Sequence, residues 1–355
     1  MGWIDATHQT WKLVVFVGWM LVAGIFLTGG NSALAQSTTI TQLGFGPGSS
    51  TLIAAQGIRQ LIHDGSKILR VEIQPGAGGQ NRTYWERRKE RRGELFVDLN
   101  NRDASFPTPV EGLLPVLALF PNAGWGLVTT NPEIRSIRDL RGKVVDVGGI
   151  ELNSGGFTFL AVLRNGGIDS TKVDLSKQTK NLTDVADQLA DGISDVGHSG
   201  LINRTQLSPS IVELIRKRRI YLVDQTAEAI APLAPGTYPY IVCPGAVQRE
   251  YNLGYDPNRG QKIYGQYSVP ATWAGIEVST DVVYEYVRTV IHGRGRLVNY
   301  LPAYGKVLAE QMGHVPMPQA KFHPGARRAF EEAGMTYGLE GIAEWESARK
   351  GITCQ

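Results

Sequence analysis

The sequence is short of cysteine, of net charge and of long apolar runs, and each scarcity removes a class of protein. Cys243 and Cys354 are the only two cysteines among 355 residues, too few for a disulfide scaffold or a four-cysteine zinc site. Lys and Arg number 36 against 33 Asp and Glu, a formal net charge of +3. So small an excess gives no electrostatic basis for binding nucleic acid or an anionic membrane. The 6 histidines, at positions 8, 63, 198, 292, 314 and 323, include no H-E-x-x-H or other ligand spacing, so no metal site is expected. Nothing in the sequence calls for a cofactor either. What the chain does hold is 42% hydrophobic and 19% charged residues, enough for an ordinary core and incompatible with extensive disorder. Its length corresponds to about two domains.

The one long apolar run, Leu13 to Leu27, is too short at 1.5 Å per residue for a bilayer core of ~30 Å. It fits the apolar segment of a secretory signal, with Lys12 before it and Ala33-Leu34-Ala35 as an A-x-A-like cleavage site. Residues 1–35 are therefore expected to be a signal peptide cleaved after Ala35, with an uncleaved anchor as the alternative, and the protein is expected to be periplasmic. In an oxidising compartment Cys243 and Cys354 could pair, and the sequence leaves that open.

Strand-like segments at 38–45, 69–73, 94–99, 125–130, 143–147 and 195–197 alternate with helix-like ones at 52–63, 80–92, 155–165 and 181–190. That order predicts an α/β fold with mainly parallel strands. The last third reads as helices at 281–292, 302–312 and 326–333, while 248–267 has no clear pattern. Glycine is abundant, 42 residues against a usual ~7%, and it gathers where strands hand over to helices. Gly44-Phe45-Gly46-Pro47-Gly48-Ser49-Ser50, Pro75-Gly76-Ala77-Gly78-Gly79-Gln80-Asn81 and Gly148-Gly149-Ile150-Glu151-Leu152-Asn153-Ser154-Gly155-Gly156 are three such loops. In open α/β sheets ligands bind at these carboxyl ends, where the first N–H groups of a helix receive a small anion. Plain turns are the alternative.

Enzyme signatures are mostly missing. The first loop lacks the Gly-Lys-Ser/Thr ending of a P-loop and the G-x-G-x-x-G spacing. Gly197-His198-Ser199-Gly200-Leu201 falls one glycine short of a nucleophile elbow. His198 and Ser199, adjacent on a strand, point to opposite faces, which weakens a hydrolase reading. Arg87-Arg88-Lys89-Glu90-Arg91-Arg92, with Tyr84 and Trp85 before it, reads as a solvated helix face or a dock for an acidic partner.

Taken together, several segments resemble one family, the TAXI-type solute receptors of tripartite ATP-independent periplasmic (TRAP) transporters. Ile40 to Gly48 is similar to the family's first strand and Gly-Thr-Gly-like loop, and Pro75 to Asn81 to its second. Ile134 to Gly148 resembles an I-x-S-x-x-D-L-x-G-K-x-V-x-V-G run of bacterial binding proteins. Ala234-Pro235-Gly236-Thr237-Tyr238-Pro239 and His323-Pro324-Gly325-Ala326 are more particular to the family. The resemblance spans about residues 38–337.

It implies a two-lobed α/β periplasmic binding protein of type II-like architecture, with a ligand cleft between the lobes and no catalysis. Residues 36–125 would begin lobe one, 126–240 form lobe two and 241–355 return to lobe one. The family's contacts fall on Gly46, Gly48, Ser49 and Ser50 in the first loop and on Gly79, Gln80 and Asn81 in the second. They fall on Asn153, Ser154 and Gly155 at the lobe-two helix and on Thr237 and Tyr238 in the late loop. The family's Gln-Ser-Asp after the second helix is absent. Asn100, Asn101 and Arg102 stand in that stretch, with Arg102 a candidate carboxylate clamp. His198 and Ser199 complete the candidate set. The implied partners are a small organic anion, dicarboxylate or amino-acid-like, and the membrane permease of a TRAP system. The receptor would be a monomer that binds no nucleic acid. A stand-alone sensory binding protein is the second reading, and an exported hydrolase using Ser199 the third.

Overall fold

Two layers of strands underlie the alternation in the sequence. The computed structural model describes residues 37–46, 49–76, 94–100, 112–119, 123–148, 154–202, 206–233, 238–242, 245–302 and 305–348. The apolar run at 13–27, the basic segment 87–92, Cys243 and Cys354 lie outside the described residues. Among the described residues no helix is long and apolar enough to cross a membrane.

The first sheet contains β1 (Thr38–Gly44), β2 (Leu69–Pro75), β3 (Leu95–Asn100), β4 (Leu113–Ala118) and, from much later in the chain, β12 (Pro270–Gly275). The second contains β5 (Ala123–Thr129), β6 (Val145–Asp146), β7 (Val196–Ile202), β10 (Tyr238–Val242) and β11 (Ile263–Tyr267). Two short strands join it, β8 (Gln206–Leu207) on β7 and β9 (Tyr221–Val223) on β5. The strand orders are β2-β1-β3-β12-β4 and β10-β11-β5-β7-β6.

The expectation of mainly parallel strands is not met. Among the described strands β1 pairs in parallel with β2 and β3, and β6 with β7, and the other strand pairs are antiparallel. The cause lies in β4, β5, β11 and β12, which carry the chain between sheets and are inserted against the direction of the βα units. The sequence also gave no sign of β12, because Pro-Ala-Thr-Trp-Ala-Gly is buried at every position. A strand covered on both faces shows no alternation.

Helix α1 (Ser50–Gly65) covers the first sheet. Leu52, Ala55, Ile58, Leu61 and Ile62 recur at three- and four-residue spacing and are all buried. Over the second sheet lie α2 (Ser154–Asn165), α3 (Leu182–Asp191), α4 (Pro209–Lys217) and the single turn α5 (Ala227–Ile230). The unpatterned stretch 248–267 contains α6 (Ala246–Glu250), turns and β11. After β12 come α7 (Thr280–Gly293), α8 (Leu297–Tyr300), α9 (Gly305–Gln311), α10 (Pro324–Glu332) and α11 (Gly338–Ala348). One core joins β1–β4 and β12 to α1, α7 and α10 through Ile40, Phe96, Trp273, Tyr286 and Phe330. The second sheet has one core on each face: Leu127, Val145, Val223 and Phe159 on the α2 side, and Val128, Val185, Leu222 and Ile263 on the α3 and α4 side. The chain is two-lobed.

Crossing from the first sheet to the second occurs between Ala118 and Ala123, and return occurs over Ser268 and Val269, both fully buried. The second sheet holds the chain to Tyr267, since β10 and β11 extend it as an antiparallel pair.

His323-Pro324-Gly325-Ala326 starts α10. His323 Nδ1 accepts from Gly325 N at 3.2 Å, and Pro324 occupies the first turn, where its missing N–H costs nothing. A Cβ on Gly325 would meet Thr280 O at 2.2 Å, so the backbones of α7 and α10 approach as closely as they do only because residue 325 is glycine. The motif is thus a helix start and a helix crossing. Gly325→Ala should cost ~3 kcal/mol or more, seen as a lower urea midpoint, and wild-type stability in that variant would refute the crossing account.

Burial lowers the pKa of His314, to about 4, and that of His323. Both are neutral in the fold and titrate near 6.5 unfolded, so their contribution is present above pH ~6.5 and is lost as pH falls towards about 4. The melting temperature should fall across that window, and His314→Gln should remove part of the fall. An unchanged slope in that variant would exclude His314 as a source.

Candidate ligand-binding edge

Pairing registers gather the candidate loops. On β1, Gly44 stands opposite Pro75 of β2, and the preceding Leu43 opposite Val97 of β3, so these parallel strands end along one edge. β12 enters the sheet at that same edge, with Pro270 opposite Asn100, and β4 leaves there, with Ala118 opposite Ala271. In the second sheet the matching edge holds Ala123 opposite Ile202, and Tyr267 paired with both Gly124 and Tyr238. Both crossings lie on it. Tyr267 packs against the core of the first lobe and a core of the second.

Ser49 caps α1, accepting from Leu52 N at 3.1 Å through its Oγ. Gly46 is in contact range of the second loop, because a Cβ there would stand 3.0 Å from Gly76 O, and Gly76 N donates to Gly44 O at 3.0 Å. The first two loops therefore abut. In the second lobe Asp146, fully buried at the end of β6, accepts from Gly148 N at 2.8 Å and Thr179 N at 3.1 Å. It thereby fixes the entry to the third loop, where Gly148 has φ +77°. Burial raises the Asp146 pKa above the usual carboxylate value.

The registers bring Gly46, Ser49 and Ser50 together with the end of β3 at Asn100. They put Tyr238 on the crossing edge of the second sheet, and Ser154 and Gly155 in the first turn of α2. His198 is buried on the α2 side of β7, opposite Leu127, and Ser199 pairs in register with Gly126. Gly48, Gly79, Gln80, Asn81, Arg102, Asn153 and Thr237 lie outside the described residues. Among the described residues no three His, Cys, Asp or Glu converge as metal ligands.

Sequence reasoning missed the polar group beneath the first loop. Asp98, fully buried on β3, accepts from Gln42 Nε2 at 2.8 and 2.9 Å and from Thr272 Oγ1 at 2.9 Å. Tyr286 OH donates to Gln42 Oε1 at 3.3 Å. A Cβ on Gly44 would be 3.7 Å from Asp98 Oδ2, which puts this carboxyl directly under the first-loop strand end. The visible signal was an Asp inside the apolar strand Leu-Phe-Val-Asp-Leu-Asn. Desolvation outweighs the three donated hydrogen bonds and raises the Asp98 pKa to about 7.

A carboxyl raised in the fold stabilises it below its unfolded pKa near 4, and that contribution is lost as pH rises through about 7. Asp98→Asn removes this titration. The melting temperature of the variant minus that of wild type should climb from pH 4 to 7.5 and then level off. A difference independent of pH would mean that Asp98 does not titrate in this range.

The sequence matches no protein-family model and no curated protein. Solved structures do resemble it. MatC from Rhodopseudomonas palustris, with bound malate, is 14% identical with a TM-score of 0.50, covering 88% of this chain and 98% of that one. Rpa4515 from R. palustris, with adipate, is 16% identical with a TM-score of 0.50, covering 89% of this chain and 96% of that one. At such identities the likeness establishes the fold, that of a two-lobed periplasmic binding protein.

Proposed function

We propose that the protein is an extracytoplasmic receptor that captures a small organic anion between its lobes and delivers it to a membrane permease of the TRAP type. The observation that carries this reading is the gathering of two glycine-rich strand ends, after β1 and β2, and the start of α1 at the edge where the chain crosses between sheets. An anion there would meet the first N–H groups of α1, whose start Ser49 fixes. Closure of the lobes about the two crossings would remove the anion from water and strengthen every such contact. Malate and adipate, held by the two solved proteins of this fold, put dicarboxylates first among the solutes to test. The TRAP assignment and a monomeric state rest on the motif resemblance at residues 38–337, and export with cleavage after Ala35 rests on the apolar run Leu13 to Leu27 and the A-x-A-like site that follows it. Catalysis has little support, since adjacent residues of a strand such as His198 and Ser199 are expected to point to opposite faces.

A thermal-shift series with malate, adipate, glutamate, keto acids and sugar acids tests the reading. A ligand specific to the folded state stabilises it by about 2.7 kcal/mol at 100 times Kd, so at least one acid should raise the melting temperature by several degrees. A flat response to all of them would remove the anion-receptor assignment. Ser199→Ala should leave any background ester hydrolysis unchanged, and abolition by that substitution would restore the hydrolase reading.

A further inference from the structure

Asp98 lies beneath the proposed solute edge in surroundings that serve either of its protonation states. It is fully buried and accepts from Gln42 Nε2 at 2.8 and 2.9 Å and from Thr272 Oγ1 at 2.9 Å. These donors are neutral, and no Lys, Arg or His is among its partners within the described residues. The uncharged carboxyl is accommodated as well. A threonine hydroxyl accepts as readily as it donates, and Thr272 also hydrogen-bonds the Tyr286 hydroxyl. A proton on Asp98 Oδ1 can therefore be donated to Thr272 Oγ1, whose own hydrogen turns to Tyr286. Tyr286 goes on donating to Gln42 Oε1, and Gln42 Nε2 to Asp98 Oδ2. One hydroxyl rotation exchanges the two states with every heavy atom in place.

The network also touches the start of α1. A Cβ on Gly44 would stand 3.7 Å from Asp98 Oδ2 and 3.4 Å from Leu52 Cδ1, and Leu52 N belongs to the first turn of α1, where it donates to Ser49 Oγ. Asp98 and that first turn thus meet at the same strand end. The titratable group facing Asp98 is Tyr286 of α7, whose phenol burial keeps protonated. β1 and β12 face it with Gln42 and Thr272. The charged groups of the two helices are engaged elsewhere: Arg59 and His63 with Val71, Asp64 with Gln60 and Tyr300, and Glu285 with Ser66 and Arg288. Asp281 and His292 are exposed. No cation within the described network therefore offsets a second negative charge beside an ionised Asp98, and two such charges in a weakly screening interior oppose each other.

We propose that Asp98 is the proton site of the receptor: capture of an anion at the start of α1 draws one proton from water onto Asp98, and release of the anion returns it. This inference rests on the receptor reading given above and adds what regulates its affinity. The buried edge then carries the same charge empty and filled. Coupling of this kind is reciprocal, so the anion favours neutral Asp98 and neutral Asp98 favours the anion. The Asp98 pKa of about 7 brings both forms into play near neutral pH, and affinity falls as the pH rises.

The test uses the purified protein with malate and adipate between about pH 6.5 and 8.5, where the carboxyls of both probes are ionised. Kd should rise about fivefold or more across that range. Calorimetry in buffers of different ionisation enthalpy should show uptake of about half a proton per solute at about pH 7.5. Asp98→Asn, neutral throughout, should remove both effects. Uptake that persists in the folded variant would assign the proton to another group, such as Asp146 or His198, and overturn the proposal. A wild-type Kd independent of pH would overturn it too. Should the variant fail to fold, side-chain carboxyl 13C spectra of wild type decide instead. The Asp98 resonance should titrate at higher pH in the saturated protein than in the free one, and an unmoved midpoint counts against the coupling. A wild-type protein that binds neither probe at any pH would refute the dicarboxylate reading, and this coupling with it.

Discussion

The near-continuity of β11 and β12 is the constraint on which the remaining structure depends. Between Tyr267 and Pro270 only Ser268 and Val269 separate a strand of one sheet from a strand of the other, and both are fully buried. So short a connection forces the two sheets to meet along one edge. The directions of β1, β2 and β3 then bring their carboxyl ends to that edge, and Tyr267 joins cores on both sides of it. The glycine loops are useful because of where this connection puts them. Each loop alone would be an ordinary strand-to-helix turn.

The crossing edge is also where the interior stops being apolar. Asp98, Gln42, Thr272 and Tyr286 form a closed network under the first loop, and Gln225, Gln266, His198 and Thr158 occupy the matching layer of the second lobe. Buried polar groups weaken a core in proportion to how poorly they are paired. The first group is joined by hydrogen bonds through Gln42, and in the second Gln266 donates to Gln225. Each lobe keeps a buried carboxyl beside a glycine-rich strand end, Asp98 under the first loop and Asp146 at the entry to the third, and burial raises the pKa of both.

Much of the architecture was legible in the chain. The segments read at 38–45, 52–63, 69–73 and 281–292 correspond to β1, α1, β2 and α7 within a few residues, because each is long, periodic and flanked by turn or cap residues. Strands β4, β9 and β12 were illegible, since burial on both faces erases the period-two pattern or leaves too few residues to show one. His323-Pro324-Gly325-Ala326 was recognisable as a motif, but its role as a helix start and close crossing required Thr280 to be seen across from it.

Sequence by itself determined the alternating α/β layout, the glycine-rich strand ends and the lack of a P-loop signature, because these follow from residue type and local spacing. Tertiary structure alone decided that most strands pair antiparallel, that the second lobe runs on to Tyr267, and that Gln42 meets Asp98 and Gln225 meets Gln266. Those partners are separated by 56 and 41 residues, and the pairing depends on which strands become neighbours. Neighbour choice is set by the burial of whole faces against one another, a property of the folded sheet that no local window of sequence contains.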